Sequence, residues 1–482
     1  MQHHNITVIK TKPIHFNQPL VPEEVFKHLA NKPWAMWLDS CESDHVDSRY
    51  DIIVWQPAIT LTTVDEETSV HFTRNKHTKT TTQDPLLLLQ SVQNDFYQHI
   101  EVETACLPFL SGAVGYFSYD LGRRFEQLPA QAIKDINIPD MAVGIYSHAL
   151  VYDKQNKQFS LIAADDKRNE LTEFLQSLVN QQITPLLKEQ QASSFQLNDS
   201  WQANISKEQY QDKFEQIQKY LLSGDCYQIN LTQRFTSSYQ GDEFDAYQAL
   251  RAANRAPFSA FIRLEDCSIL SISPERFIKL SNNKVQSKPI KGTKPRSPDK
   301  DIDDFNAKAL QSSEKDQAEN LMIVDLLRND ISKVCQPGTV VVPKLFDIES
   351  FPAVHHLVST VEGKLESKFT ACDLLRASFP GGSITGAPKI RAMEIIDELE
   401  PQRRSVYCGS IGYISACGNM DSSITIRTLV CEKLGTNKKI HCWAGGGIVA
   451  DSELDAEYQE SFDKVNKILP ILEKLASSNK HS

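Results

Sequence analysis

The amino-acid sequence predicts an α+β fold with two lobes. The chain has 482 residues, which suits two or three domains or one large two-lobed unit. Strand and helix patterns mix in its second half without the regular alternation of a parallel βαβ fold. A stretch rich in Gln, Ser and Asn separates the halves and has little periodicity. We therefore expect an N-terminal lobe at 1–180, a connector at 181–204 and a C-terminal domain at 205–476.

The first lobe is predicted to be rich in strands. Short apolar or alternating runs predict strands at 35–38, 51–55, 59–62 and 71–73, and a buried strand at 112–119. Asp84 precedes a predicted helix over 85–94, with leucines 86–89 facing the core. No acid–base or metal constellation is recognisable in this half.

The second half opens with a predicted helix and a strand. Ser206 and Gln209 match a capping box, and apolar side chains then recur at helical spacing up to Leu221. We expect this helix to end at Gly224, since glycine is the usual residue at a helix C-terminus. Apolar and polar side chains alternate over 227–232, which predicts the strand.

Composition excludes several classes of function. The net charge is -11, from 51 basic and 62 acidic side chains, and it argues against nucleic acid as a partner. No apolar run approaches the roughly 20 residues of a membrane helix, and the N-terminus lacks a signal-peptide core. We expect a cytoplasmic protein with reduced cysteines and no membrane contact. No GxGxxG or Walker motif indicates a nucleotide site.

The basic segment 286–298, QSKPIKGTKPRSP, is the first candidate for chemistry. Its prolines and glycine predict that it is not a regular strand or helix throughout. Lys291 stands before Gly292 and Thr293, whose backbone amides and hydroxyl could hold an anion. A lysine in that place could be a counter-ion or a nucleophile. A solvated basic loop is the alternative, and composition alone favours it.

Two predicted helices carry acidic faces. Ser313 and Asp316 match a capping box, and the helix they open would place Glu319 on the same face as Asp316. Mg²⁺ prefers a few carboxylates completed by water and ligand oxygens. Most acidic helical faces are only solvated, which is the alternative here.

The second acidic helix lies near the C-terminus. Ser452 and Asp455 match another capping box, and Glu457 and Glu460 follow three residues apart on one face.

Glycine runs and an arginine are candidates for binding an anion. Residues 381–386 and 445–447 are glycine-rich, and exposed amides in such places favour anions, although plain turns are equally common. Alternation over 423–429 predicts a strand with Arg427 on one face, and its planar guanidinium suits a carboxylate.

Six motifs occur together along the chain. They are SPERF at 273–277, PIKGT at 289–293, AENLMIVDLLRND at 318–330, FPAVHHLVST at 351–360, FPGGSITGAPK at 379–389, and AGGGIVADSELDAEYQES at 444–461. This set resembles the chorismate-utilising enzymes and covers nearly the whole chain. The resemblance implies a fold of largely antiparallel sheets packed in a sandwich, with helices on the outside.

The resemblance also implies roles for individual residues. Glu275 would be the general acid/base, and Glu319 and Glu460 would hold Mg²⁺ with Glu457 in support. Asp316 stands where relatives often have glutamate, which leaves direct ligation open. Lys333 stands where relatives commonly have arginine. Contacts to chorismate are implied for Gly292, Thr293, His356, Tyr407, Arg427, Gly445, Gly446 and Gly447.

Lys291 distinguishes the possible activities. Anthranilate synthase component I typically has PIAGT where this chain has PIKGT, so the resemblance implies that ammonia replaces the C4 hydroxyl of chorismate after Lys291 has attacked C2. The ammonia would come from a separate glutamine amidotransferase subunit. The alternatives are an anthranilate synthase, a water-using isochorismate or salicylate synthase, and a non-catalytic tryptophan-binding subunit.

The resemblance further implies a tryptophan pocket in the first lobe. Its residues would be Ser40, Asp47, Ser48, Arg49, Tyr50, Pro257, Phe258 and Ser259. Ordinary packing with one surface ion pair is the alternative.

Overall fold

A computed structural model describes residues 6–41, 45, 47–180, 194–350 and 354–478. The strands are β1 Thr7–Ile14, β2 Met36–Asp39, β3 Tyr50–Val54, β4 Ile59–Val64, β5 Glu67–Phe72, β6 His77–Thr81, β7 Ile100–Val102, β8 Gly112–Phe117, β9 Met141–Tyr146, β10 Ala149–Asp153, β11 Gln158–Ala164, β12 Gln196–Leu197, β13 Gln202–Ala203, β14 Gln228–Gln240, β15 Phe258–Arg263, β16 Cys267–Ser273, β17 Arg276–Ser281, β18 Lys284–Ser287, β19 Ile290–Pro295, β20 Val341–Ser350, β21 Val354–Lys364, β22 Gly386–Ala387, β23 Ser410–Ser415, β24 Met420–Ile424, β25 Thr428–Leu434 and β26 Asn437–Ile448.

The helices are α1 Pro22–Phe26, α2 Pro85–Tyr97, α3 Asp165–Asn180, α4 Lys207–Ser223, α5 Glu243–Asn254, α6 Lys300–Gln311, α7 Glu314–Ser332, α8 Ala371–Ser378, α9 Lys389–Leu399, α10 Leu454–Asp463 and α11 Leu469–Ser478. None of these described helices is both long and apolar enough to cross a bilayer.

The strands form two large sheets. The first has fourteen strands, in the order β12-β14-β26-β25-β16-β15-β2-β3-β10-β11-β1-β7, with β13 and β22 also paired to β14. The second has twelve strands, in the order β19-β21-β18-β17-β24-β23-β8-β9-β4-β5-β6, with β20 paired to β21. Neighbouring strands run antiparallel apart from the β1–β7 pair. Both sheets take strands from both predicted lobes, and the functional division between those lobes stays a prediction.

The first sheet is buried on both faces. Met36 belongs to the core between the sheets, whereas its neighbour Trp37 packs with Phe26 of α1 and Tyr247 of α5 on the outer face. Successive side chains of a strand point to opposite faces, which explains the long apolar runs. The predicted sandwich with helices outside is confirmed.

Local signals located the helix ends well. Asp84 accepts hydrogen bonds from Leu86 N and Leu87 N, both at 3.0 Å, and so begins α2. The capping box of α4 is formed, and α4 ends at Gly224 with φ +80°. The expectation that Leu87 faces the core is wrong, since it is 45% exposed on the outer side of α2.

One expectation about a helix end is corrected. The capping box predicted at Ser452 is wrong: Glu453 is the N-cap of α10, and the Ser452 hydroxyl instead donates to Glu457 Oε1 at 2.6 Å.

Of the predicted connector, 181–193 lies outside the described residues. Its remainder contains β12 and β13, which pair with β14 and so belong to the first sheet. The start of the 351–360 motif, residues 351–353, also lies outside the described residues.

Candidate active site

A cavity of about 620 Å³ lies where the chain crosses between the two sheets. One crossing joins β16 to β17 through Glu275, and the other joins β24 to β25 through Arg427. Backbone hydrogen bonds tie the crossings together: Ile424 N donates to Glu275 O at 3.1 Å, and Ile272 N donates to Arg427 O at 3.0 Å. Both side chains therefore reach the wall of the cavity.

The continuous strand predicted over 423–429 is wrong. β24 ends at Ile424 and β25 begins at Thr428, and Arg427 between them has φ +50°. The break occurs because the chain leaves one sheet for the other at this point. The Arg427 guanidinium forms no ion pair with a carboxylate in the described part of the chain, although Glu275 is near enough to interact electrostatically. Burial lowers the pKa of Arg427, and the cation is available to an anionic ligand.

Residues 290–293 of the PIKGT motif lie in β19, which is irregular, in agreement with the prediction that this segment is not a regular strand throughout. The pairing of β19 with β21 shifts register between Lys291 and Thr293, and Gly292 at the bulge has φ +74°. Lys291 Nζ lies 3.7 Å from Glu319 Oε2. Thr293 Oγ1 and His356 Nδ1 are hydrogen-bonded at 2.8 Å. Burial lowers the pKa of His356 to about 4, helped by the positive charge of Arg427, so its ring is neutral at pH 7.

Glu275 has the properties of a proton-transfer group. It is 6% exposed, and burial raises the pKa of its carboxyl group to about 7. A hydrogen bond from the Ser383 hydroxyl to Oε1, at 3.0 Å, and the ammonium of Lys291 oppose that rise. Both protonation states are therefore populated near neutral pH, as proton donation and acceptance in one cycle require.

Glu319 of α7 and two glutamates of α10 line the cavity. Burial raises the pKa of Glu319 and of Glu457. It also acts to raise the pKa of Glu460, but the ammonium of Lys464, 2.6 Å from Oε1, holds that pKa below its usual value. A side chain at Gly446 would crowd them, since an added Cβ would lie 3.0 Å from Glu457 Oε2.

This carboxylate set fits a hard divalent cation. Glu457 Oε2 is buried and has no hydrogen-bond partner among the described residues. Glu319 Oε2 lies 3.7 Å from Lys291 Nζ, which is beyond hydrogen-bond distance. No three acidic, His or Cys side chains in the described ranges are close enough to form a complete metal site by themselves. Mg²⁺ commonly takes only one or two protein carboxylates and completes its shell with water and ligand oxygens.

Most of the remaining residues predicted for the site line the cavity, and two do not. Gly292, Thr293, His356, Tyr407, Gly445 and Gly447 line the cavity, as does Asp316. Gly446 is not a lining residue and lies against the glutamates of α10. Lys333 is not a lining residue either, and its Nζ pairs with Asp330 at 2.9 Å.

Several lining residues were missed from the sequence. Lys464 Nζ pairs with Glu460 and also donates to Gly445 O at 2.7 Å. Lys315 lines the cavity four residues before Glu319. Helical spacing of four would have found both lysines, because residues four apart share a face. Trp443 had no such signal, and its ring stacks on Tyr407 with centroids 6.0 Å apart.

A second cavity, of about 320 Å³, brings together seven of the eight residues predicted for tryptophan. They are Ser40, Asp47, Arg49, Tyr50, Pro257, Phe258 and Ser259. Ser48 is buried but is not among the lining residues. Arg276, which follows Glu275 directly, also lines this cavity, with Nη1 2.8 Å from Asp47 Oδ1 and its guanidinium over the ring of Phe258.

Comparison with known proteins shows the family of the chain. A family model described as chorismate binding enzyme matches residues 35–470. The chain belongs to this family. It is 56% identical to the aminodeoxychorismate synthase component 1 of Escherichia coli K12, over 94% of this chain and 96% of that protein. It is 54% identical to the Klebsiella aerogenes protein of the same name, over 95% and 97% of the two chains.

A solved structure supports the fold of this family member. The crystal structure of anthranilate synthase component I from Streptococcus pneumoniae TIGR4 matches with a TM-score of 0.75 and 29% identity. The match covers 96% of this chain and 99% of that one.

Proposed function

We propose that the chain is the chorismate-converting component of an aminodeoxychorismate synthase. It replaces the C4 hydroxyl of chorismate with ammonia and forms 4-amino-4-deoxychorismate, the precursor of p-aminobenzoate for folate biosynthesis. The observation that carries the proposal is Lys291, a primary amine on the wall of the same cavity as the buried acid Glu275. The identities of 56% and 54% to proteins of that name support it.

The cavity suits a dianion such as chorismate. Arg427 and Lys464 supply positive charge, and the strand at Gly445 and Gly447 lets the ligand approach the backbone closely. A Mg²⁺ ion held by Glu319 and Glu460, with Glu457 in support, would neutralise the ring carboxylate and polarise the ring. Tyr407, stacked on Trp443, forms a rigid part of the wall.

Lys291 and Glu275 perform the first half of the reaction. The neutral amine of Lys291 bonds to C2, the electron pairs shift along the ring toward C4, and the C4–O bond breaks. Glu275 gives its proton to the departing hydroxyl, which leaves as water. The enolpyruvyl group stays on the ring.

Ammonia completes the exchange at C4. Its lone pair bonds to C4, the electron pairs shift back, and the C2–N bond to Lys291 breaks. The Glu275 carboxylate takes the proton that the ammonia loses. The net change is chorismate plus ammonia to aminodeoxychorismate plus water. Because Lys291 occupies C2 while ammonia adds, the product is aminated at C4.

Two further parts of the proposal concern partners. A separate glutamine amidotransferase subunit supplies ammonia, as the word component in the relatives' names suggests, and free ammonium should replace it. L-Tryptophan binds in the second cavity, where Phe258 and Pro257 offer apolar surface and Asp47 and Arg276 offer charges of both signs.

A product assay tests the function. The purified chain is mixed with chorismate, Mg²⁺ and ammonium, and the products are separated by chromatography with mass detection. Aminodeoxychorismate, converted to p-aminobenzoate by an added lyase, is the expected product. Anthranilate would mean amination at C2 and would refute the proposal, as would tryptophan binding with no turnover of chorismate.

A further inference from the structure

Ser383 touches the acid/base group, and the proposed mechanism gives it no part. Its side chain lines the catalytic cavity and donates its hydroxyl proton to Glu275 Oε1 at 3.0 Å. The backbone N–H of Ile290 also favours the ionised form of the same carboxyl group. The Ser383 hydroxyl restricts how the Glu275 carboxyl group can rotate.

A buried ion pair between Arg404 and Glu400 contacts the turn that carries Ser383. Ser383 lies in a short 3-10 helix, and Arg404 Nη1 donates to the next carbonyl, Ile384 O, at 2.8 Å. Arg404 Nη2 also donates to Asn230 O at 2.7 Å and pairs with Glu400 Oε1 at 2.7 Å. Arg404 is 1% exposed, so these hydrogen bonds are shielded from water. The backbone of the turn that carries Ser383 is therefore held by buried groups of the protein.

We propose that Ser383 is a positioning residue for Glu275: its hydroxyl occupies one carboxyl oxygen and leaves the other to exchange a proton with the substrate. This rests on the proposed function, in which Glu275 transfers that proton. A serine donor stabilises the ionised carboxylate more than the neutral acid, so its removal favours the protonated form.

The other charges that face Glu275 act in the same direction as Ser383. Lys291 of β19, Lys464 beyond α10 and Arg427 between the sheets all favour the carboxylate, whereas burial opposes it more strongly. Since those three cations stay in place, Ser383→Ala removes one hydrogen bond and leaves the surrounding charges unchanged. We therefore expect the pKa of Glu275 to rise by about one pH unit in Ser383→Ala, which is a tenfold increase in its proton affinity.

The test measures the titration of Glu275 directly. The infrared carboxyl band of Glu275 is identified as the band lost in Glu275→Gln, and its midpoint is compared in wild type, Ser383→Ala and Ser383→Thr. Ser383→Thr keeps a hydroxyl and should restore the wild-type midpoint. The matched control is Ser378→Ala, because Ser378 is a buried serine whose Oγ has no partner among the described residues. That control should leave the midpoint unchanged.

The pH profile of turnover gives a second readout. In Ser383→Ala, the pH at which kcat falls as Glu275 loses its proton should move to a higher value, together with the infrared midpoint. An unchanged midpoint in Ser383→Ala, or an equal shift in Ser378→Ala, would overturn the inference. The titration needs no turnover, so failure of the proposed function is recognised separately, by the absence of aminodeoxychorismate from wild-type enzyme.

Discussion

Gly292→Ala should destabilise the protein and slow catalysis. Gly292 has φ +74°, and an added Cβ would lie 2.7 Å from both Asp316 Oδ1 and Leu310 Cδ1. The left-handed backbone costs a residue with a side chain about 1–2 kcal/mol, and crowding in a packed region costs about 1–3 kcal/mol more. We expect a loss of about 2–5 kcal/mol in the free energy of unfolding.

Gly292→Ala should also lower kcat, because the groups around Gly292 must move to make room for the added methyl group. Relief of the crowding moves the side chains of Asp316 on α7 and Leu310 on α6, or shifts β19, which carries Lys291. A misplacement of about 1 Å in reacting groups can lower a rate about 100-fold. We therefore expect kcat for aminodeoxychorismate formation to fall by about that factor, measured by product chromatography at saturating chorismate and ammonium.

Gly338→Ala is the matched control. Gly338 has φ +78°, but an added Cβ there would meet no described atom within 4 Å. It should show only the backbone cost of about 1–2 kcal/mol in urea denaturation, with an unchanged rate. The reasoning would be refuted if Gly292→Ala lost no more stability than this control and kept its full activity.

Four further outcomes are expected. Lys291→Met should abolish aminodeoxychorismate formation in the product assay while the melting temperature stays near that of wild type; full retained activity would contradict its role as nucleophile. The kcat of wild type should fall as pH rises through about 7, because Glu275 must be protonated to release the hydroxyl, and Glu275→Gln should lack this limb in a pH–rate profile. Glu457→Gln should reduce the rise in melting temperature that Mg²⁺ produces, since it removes a buried charge beside Glu460; an equal rise would exclude Glu457 from the metal site. Arg276→Met should weaken L-tryptophan binding measured by calorimetry, because Arg276 lines the second cavity, and unchanged affinity would place the ligand elsewhere.

Sequence reasoning succeeded where the signal was local. Capping residues, glycine ends and alternation fix short stretches of backbone, which is why α4 was predicted near its observed bounds and β14 near its observed start, although β14 continues to Gln240. The motifs also led to residues far apart in the chain that the fold brings to one cavity. Lys291, Glu319 and Glu460 come from a strand and two separate helices.

The failures have non-local causes. Arg427 lies at a crossing between sheets, and no local pattern distinguishes a crossing from a continuous strand. Ser452 matched a cap, but its hydroxyl has a competing acceptor in Glu457. The contact of Arg404 with the turn of Ser383 gave no signal, because the two backbone carbonyls that Arg404 binds, Ile384 O and Asn230 O, are distant from it in sequence.

The central claim is that Lys291 bonds to C2 of chorismate, and mass spectrometry tests it most directly. The protein is mixed with chorismate and Mg²⁺ without ammonium, quenched in acid and digested for peptide mapping. The account predicts an added mass of chorismate minus one water on the peptide that contains Lys291, which disappears when ammonium is supplied. Rapid formation of aminodeoxychorismate with no adduct on that peptide at any time would contradict it.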